Sequence, residues 1–185
     1  MSKGKLIVMS GCSGVGKSTV LGRVMESRDD LLFSVSATTR EPRNNEIDGV
    51  SYSFITVEEF QKMIAEDAFV EYDGHMENWY GTPKAQLEEK LARGVVLLDI
   101  EPNGAFRVQK ARPDGVLVFI APPSMEELEH RLRSRGDTSE EQIEKRLARA
   151  SWEMEQSAKY DHVVVNHVVD DCAKEILEII AQVAD

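Results

Sequence analysis

The sequence predicts an α/β fold in which a parallel sheet is flanked by helices, and three observations carry that reading. A glycine-rich loop, Gly11-Cys12-Ser13-Gly14-Val15-Gly16-Lys17-Ser18, begins one residue after the apolar run Leu6-Ile7-Val8-Met9. It fits the pattern GxxxxGK[ST] at the strand-to-helix junction which that pattern requires. Short apolar runs then alternate with segments of helical periodicity, as β-α-β units do. A β-rich stretch of roughly residues 35–85 interrupts the alternation and reads as an insertion in a P-loop NTPase fold.

The elements follow in order. Lys5 to Ser10 is a buried strand, and a helix covers Lys17 to Ser27. Leu31 to Thr38 is a second strand ending in small polar residues, and the polar segment Thr39 to Gly49 is a loop. Tyr52 to Ile55 alternates as a half-buried strand does. Thr56 and Glu59 form a capping box that opens a helix with Phe60, Met63 and Ile64 facing inward. Ala68 to Tyr72 is a strand, Gly74 to Gly81 a turn and a short strand, and Thr82-Pro83 starts a helix with proline at its first position. Val95 to Asp99 is a buried strand ending in a carboxylate, followed by a helix over Asn103 to Ala111 and a strand over Val116 to Ala121. Ser124 with Glu127 and Ser139 with Gln142 cap two helices, one ending near Arg135-Gly136 and one reaching about Ala158. His162 to Val165 is the last strand and Asp171 to Val183 the last helix.

The 185 residues suit one domain, and an apolar content of 42% supplies its core. The expected sub-lobes are a core of about 1–34, 86–134 and 159–185, the insertion of about 35–85 and a charged lid of about 135–158. The net charge of −11 argues against a nucleic-acid binder and requires any anion site to be built from local positive groups. Two cysteines make no disulfide framework and predict a reduced, cytoplasmic chain. The N-terminal apolar run is too short for a signal peptide or a membrane span. His75, His130, His162 and His167 show no metal-ligand spacing.

Chemistry concentrates around the loop. Its glycines let backbone N–H groups converge on an anion at a helix N-terminus. Lys17 reaches the β- and γ-phosphates, and Ser18 or Thr19 helps hold Mg²⁺. Asp99, at the end of its strand, faces the loop and positions the metal or its waters, and Glu101 points to the same side. Arginines form clusters on both flanks: Arg40 and Arg43 after the second strand, and Arg131, Arg135, Arg146 and Arg149 on the charged helices. Ordinary surface pairing with Glu140, Glu141, Glu144 and Glu153 is the alternative for each one singly. Guanidinium groups on two flanks of a phosphate loop imply two phosphorylated ligands. No general base stands out. A phosphate acceptor is already ionised near neutral pH and needs none, so this absence favours a nucleoside monophosphate over a hydroxyl acceptor.

The phosphate loop with Phe33-Ser34-Val35-Ser36-Ala37-Thr38-Thr39-Arg40-Glu41-Pro42-Arg43, Asp48 to Tyr52, Phe69 to Tyr72, Tyr80-Gly81-Thr82-Pro83, Leu98 to Glu101 and Phe119 to Ser124 closely resembles the guanylate kinase family, from about residue 5 to 180. The resemblance implies Mg²⁺-dependent transfer of the ATP γ-phosphoryl group to GMP, and to dGMP. The β-rich insertion becomes the GMP-binding part and the charged helices the lid. It implies ATP binding by Gly11 to Thr19, Arg131, Arg135 and Asn166, the last near the adenine. GMP would meet Arg40, Arg43, Tyr52 and Tyr80 at its phosphate and Ser36, Glu71 and Thr82 at its base, with Asp99 and Glu101 between the nucleotides. Lys17, Arg40, Arg135 and Arg146 would serve the reacting centre, and Ser18 and Asp99 the metal. A carboxylate such as Glu71 accepts from both N1–H and the 2-amino group of guanine, a donor pair that adenine lacks.

The sequence departs from the family's usual pattern at Cys12, where proline is common, and at Trp79, Glu101 and His167. A thiol at Cys12, in an anion-binding loop, raises the expectation of a lowered pKa and ready oxidation, against a plain tolerated substitution. Two other functions compete: a non-catalytic guanylate-kinase-like interaction module, and a related kinase with a phosphorylated sugar as acceptor. The first typically lacks a complete ATP site, and the second lacks Glu71 and Ser36.

Overall fold

The computed structural model describes residues 4–75, 77–134 and 139–184. Five strands form one parallel sheet: β1 (Leu6–Gly11), β2 (Leu31–Ser34), β7 (Val95–Asp99), β8 (Val116–Ala121) and β9 (His162–Val165), in the order β2-β7-β1-β8-β9. All six residues of β1 are buried, as a central strand covered on both faces must be. Helices α1 (Lys17–Ser27), α3 (Lys84–Leu91), α4 (Pro102–Ala111), α5 (Met125–Ser134), α6 (Glu140–Gln156) and α7 (Val169–Ala184) connect and flank it. One large core runs through this layer, with Ile7, Val8, Leu97, Leu98, Phe119 and Ile120 fully inaccessible.

A second sheet has the order β4-β3-β6-β5, from β3 (Ala37–Thr38), β4 (Ser53–Phe54), β5 (Phe69–His75) and β6 (Asn78–Pro83). With α2 (Val57–Ala65) it packs a small core of its own around Ala37, Phe60 and Phe69. Phe60 and Phe69 stack with ring centroids 4.5 Å apart. The capping box is complete: Thr56 Oγ1 accepts from Glu59 N at 3.1 Å, and Glu59 Oε2 accepts from Thr56 N at 2.9 Å.

Several boundaries differ from expectation. The strand read as Leu31 to Thr38 is two strands in different sheets, because the chain crosses from one sheet to the other at Val35-Ser36. The residue pattern of Leu31 to Thr38 suits extended chain throughout and does not report such a crossing. Pro83 flanks α3 and is not its first residue. Gly81 and Thr82 are held in the β5–β6 ladder, and Lys84 N closes it onto the Ala68 carbonyl at 2.8 Å. Proline occupies the first position of α4 instead, at Pro102. The final helix starts two residues early, at Val169.

Candidate active site

The phosphate loop is shaped by backbone that only glycine adopts freely. Gly14 and Gly16 have φ of 89° and 92°, and a Cβ on Gly14 would stand 2.5 Å from Leu132 Cδ2. Val15 is buried beneath the loop and anchors it to the core. Asn166, also buried, donates from Nδ2 to the Val15 carbonyl at 2.8 Å and braces the loop from β9's end. Arg131 sits alongside, donating to the Asn166 carbonyl at 3.1 Å and to Glu127 at 2.8 Å. The loop walls a cavity of about 280 Å³ that includes Gly11, Cys12, Ser13, Gly14, Gly16, Lys17, Ser18 and Thr19. Glu101 and Glu153 complete its lining.

A second cavity, of about 250 Å³, opens between the two sheets. Ser36, Tyr52, Glu71, Asp73, Tyr80 and Gly81 line it from the smaller sheet and its loops, with Asp99, Ile100, Glu101 and Gly104 from the core. Lys17 and Glu101 belong to both cavities, so the two spaces meet there. Parallel register places Asp99 opposite Met9, at the top of the strand that feeds the loop. Lys17 Nζ is ion-paired with Asp99 Oδ1. Burial pulls the Lys17 ammonium down, but the Asp99 charge and hydrogen bond outweigh it and hold the pKa above the usual lysine value. Ser18 and Asp99 also share a cleft beneath Tyr52, so the two oxygens expected to serve Mg²⁺ face one space. Mg²⁺ keeps few protein ligands beside nucleotide phosphates and water, and this donor pair fits that habit.

Glu71 is 7% exposed, and Thr82 Oγ1 donates to its Oε1 at 2.6 Å. Burial raises its pKa, only partly opposed by Thr82 and Arg107. Arg40 lies over the Tyr52 ring at 5.4 Å, and Tyr52 meets Tyr80 edge-on at 6.0 Å. Its guanidinium makes a two-pronged pair with Glu46 at 2.8 and 2.9 Å. Glu46 also accepts from Arg43 N at 2.8 Å, while the Arg43 side chain is exposed and lines neither cavity. Arg146 is half-buried on α6 and makes no ion pair among the described residues; Arg135 lies outside the described residues.

Four residues that the sequence reading gave no site role, Glu46, Glu153, Arg107 and Gly104, contribute to this arrangement, and Arg149, expected in a phosphate-binding cluster, is paired with carboxylates. Glu46 orders the arginine loop. Glu153, 3% exposed, accepts from the phosphate-loop Ser13 N at 3.0 Å. Arg149, stacked on Trp152 at 4.7 Å, donates to Glu153 at 3.3 Å and to Glu101 at 2.6 Å. Arg107 of α4 donates to the Tyr72 carbonyl and pairs with Asp73 at 3.6 Å. Gly104 stands against Glu71. The i,i+4 spacing of Arg149 and Glu153 was the one available signal, and it reads as ordinary helix-surface pairing.

Of the two readings of Cys12, its burial favours the plain tolerated substitution over the activated thiol. Cys12 is 2% exposed and its Sγ lies 3.6 Å from the Ala150 carbonyl. Burial, with the Glu153 carboxylate nearby, pushes its pKa up to about 12, so it packs as a small apolar residue.

A phosphate loop and a second cavity that meet at Lys17 and Glu101 mark a P-loop phosphotransferase. The family model described as guanylate kinase matches residues 3–183. A guanylate kinase of Thermus thermophilus is 46% identical over 179 residues, 96% of this chain and 81% of that protein. One of Prochlorococcus marinus is 45% identical over 95% of this chain and 96% of its own. The crystal structure of guanylate kinase from Anaplasma phagocytophilum superposes with a TM-score of 0.81 at 31% identity, covering 99% of this chain and 87% of that one. The chain belongs to the guanylate kinase family and is a kinase of that class; the interaction-module reading is not favoured.

Proposed function

We propose that the chain transfers the γ-phosphoryl group of ATP to GMP, giving ADP and GDP, and that the junction at Lys17 is where transfer occurs. The observation that carries this is the shared position of Lys17 in a phosphate-loop cavity and in a cavity holding a buried, donor-seeking Glu71. ATP binds with its phosphates on the N–H groups of Gly11 to Thr19. GMP binds with its base toward Ser36, Glu71 and Thr82 and its phosphate toward Arg40, Tyr52 and Tyr80, where Arg43 can turn inward. An oxygen of the GMP phosphate attacks the γ-phosphorus as the bond to the β–γ bridging oxygen breaks. That oxygen is already ionised, so no protein base is required. Lys17 and arginines supplied by the lid, Arg146 and Arg135, balance charge on the transferring group. Mg²⁺ at Ser18 and Asp99 supplies further charge neutralisation when bound.

The test is ADP release with ATP and Mg²⁺ and, separately, GMP, dGMP, AMP, CMP and UMP. Turnover confined to GMP and dGMP is expected. Turnover with AMP at a comparable rate would overturn the Glu71 assignment, and no turnover in folded protein that binds GMP would overturn the reaction.

A further inference from the structure

Gly104 occupies the first turn of α4, and its position is explained by one neighbour. A Cβ built there would stand 2.8 Å from Glu71 Oε2, 3.2 Å from Glu71 Cδ and 3.4 Å from Ile100 Cδ1. The first of these is closer than real Cβ atoms come. The backbone at Gly104 is ordinary helix, so it needs no glycine for its dihedrals. Alanine would be the better helix former there. What glycine supplies is room for the carboxylate.

The carboxylate is held by Thr82 on one side and opens onto the cavity on another. Thr82 donates to Oε1, leaving Oε2 as the oxygen toward bare helix backbone. Arg107, one turn along α4, holds β5 through the Tyr72 carbonyl and Asp73, so the strand cannot easily back away. Gly104 itself lines the acceptor cavity beside Glu71. We propose that Gly104 is a positioning residue for base selection: its missing side chain seats Glu71 Oε2 where it accepts from the 2-amino edge of a purine. This rests on the reading of Glu71 as the guanine acceptor.

The experiment compares GMP with inosine monophosphate, which keeps N1–H and lacks the 2-amino group. The ratio of kcat/KM for the two acceptors is measured for the parent, Gly104→Ala, Glu71→Gln and Gly104→Ala/Glu71→Gln. The ratio is expected to fall at least about tenfold in Gly104→Ala, equivalent to about 1.4 kcal/mol. KM for ATP should stay within about twofold, which a general loss of structure would not allow. Glu71→Gln should lower the ratio in the parent and change it little in the Gly104→Ala background, because one residue acts through the other. A ratio unchanged in Gly104→Ala while Glu71→Gln collapses it overturns the role of Gly104 alone. A ratio unchanged by Glu71→Gln overturns the reading of Glu71 and the role of Gly104 with it. Should Gly104→Ala fail to fold, Glu71→Asp in that background withdraws the carboxylate and should restore folding; continued failure would show that the contact with Glu71 is not what matters.

Discussion

Burial raises the pKa of Glu71, so folding prefers its neutral form, while the proposed base recognition calls for the charged one. For a raised carboxyl, the stabilising contribution is fully present below the unfolded value, near 4.5, and is lost as pH rises through the folded value. Glu71→Gln should therefore be more stable than the parent at neutral pH. The advantage should shrink as pH falls and vanish below about 4.5, where the parent becomes protonated in both states. Nucleotide-free thermal unfolding from about pH 5 to 8 checks this; each kcal/mol regained moves the midpoint about 2–4 °C in a domain of this size. A variant less stable than the parent at the alkaline end would show that the Thr82 and Arg107 contacts dominate. At this scale the sequence was readable where a side chain's job follows from its neighbours along the chain. Lys17, Ser18 and the loop glycines are such residues. Glu153, Arg149 and Gly104 are not, because their partners lie 140, 48 and 33 positions away.

Among the elements, α6 carries the tie between the phosphate loop and Glu101. Its Ser139 cap and amphipathic repeat make it a helix, and Ile143 and Ala150 bury its inner face. Glu153 then reaches the phosphate loop from that same face, with Arg149 between it and Glu101. Glu153→Ala leaves the Ser13 N–H without its partner and opens a small void, at a cost of about 1–3 kcal/mol. It should also raise KM for ATP more than KM for GMP, since the disturbed loop belongs to the donor cavity. Glu153→Gln, which keeps an acceptor oxygen, should recover most of the stability. Equal losses in both variants would mean that charge, and not the hydrogen bond, is what holds the loop. The capping signals that predicted α2, α5 and α6 act within four residues, and each Ncap hydroxyl does accept the expected backbone N–H. Where an element's end was set by pairing with a distant strand, as at Pro83 and at the break after Ser34, the local signals were misleading.

Over the whole molecule, the acceptor cavity lies between two sheets with separate cores, and Arg40 is paired with Glu46 rather than turned to a ligand. We expect GMP to draw the smaller sheet toward the core and ATP to bring α6 down, excluding water around the reacting groups. Small-angle scattering should show a lower radius of gyration with GMP and a non-hydrolysable ATP analogue together than with neither; identical profiles would count against closure. Among the described residues, no helix is long and apolar enough to cross a membrane. The amino-acid order alone determined the strand–loop–helix that receives phosphate, the alternation that builds a parallel sheet, and the family, because these depend on patterns of a few residues and on motifs in fixed order. The tertiary structure alone decided that Leu31 to Thr38 serves two sheets, that the Cys12 thiol is buried, and that Lys17 stands where two cavities meet. Those outcomes depend on burial and on charges brought together across long separations, and no local window of sequence contains either.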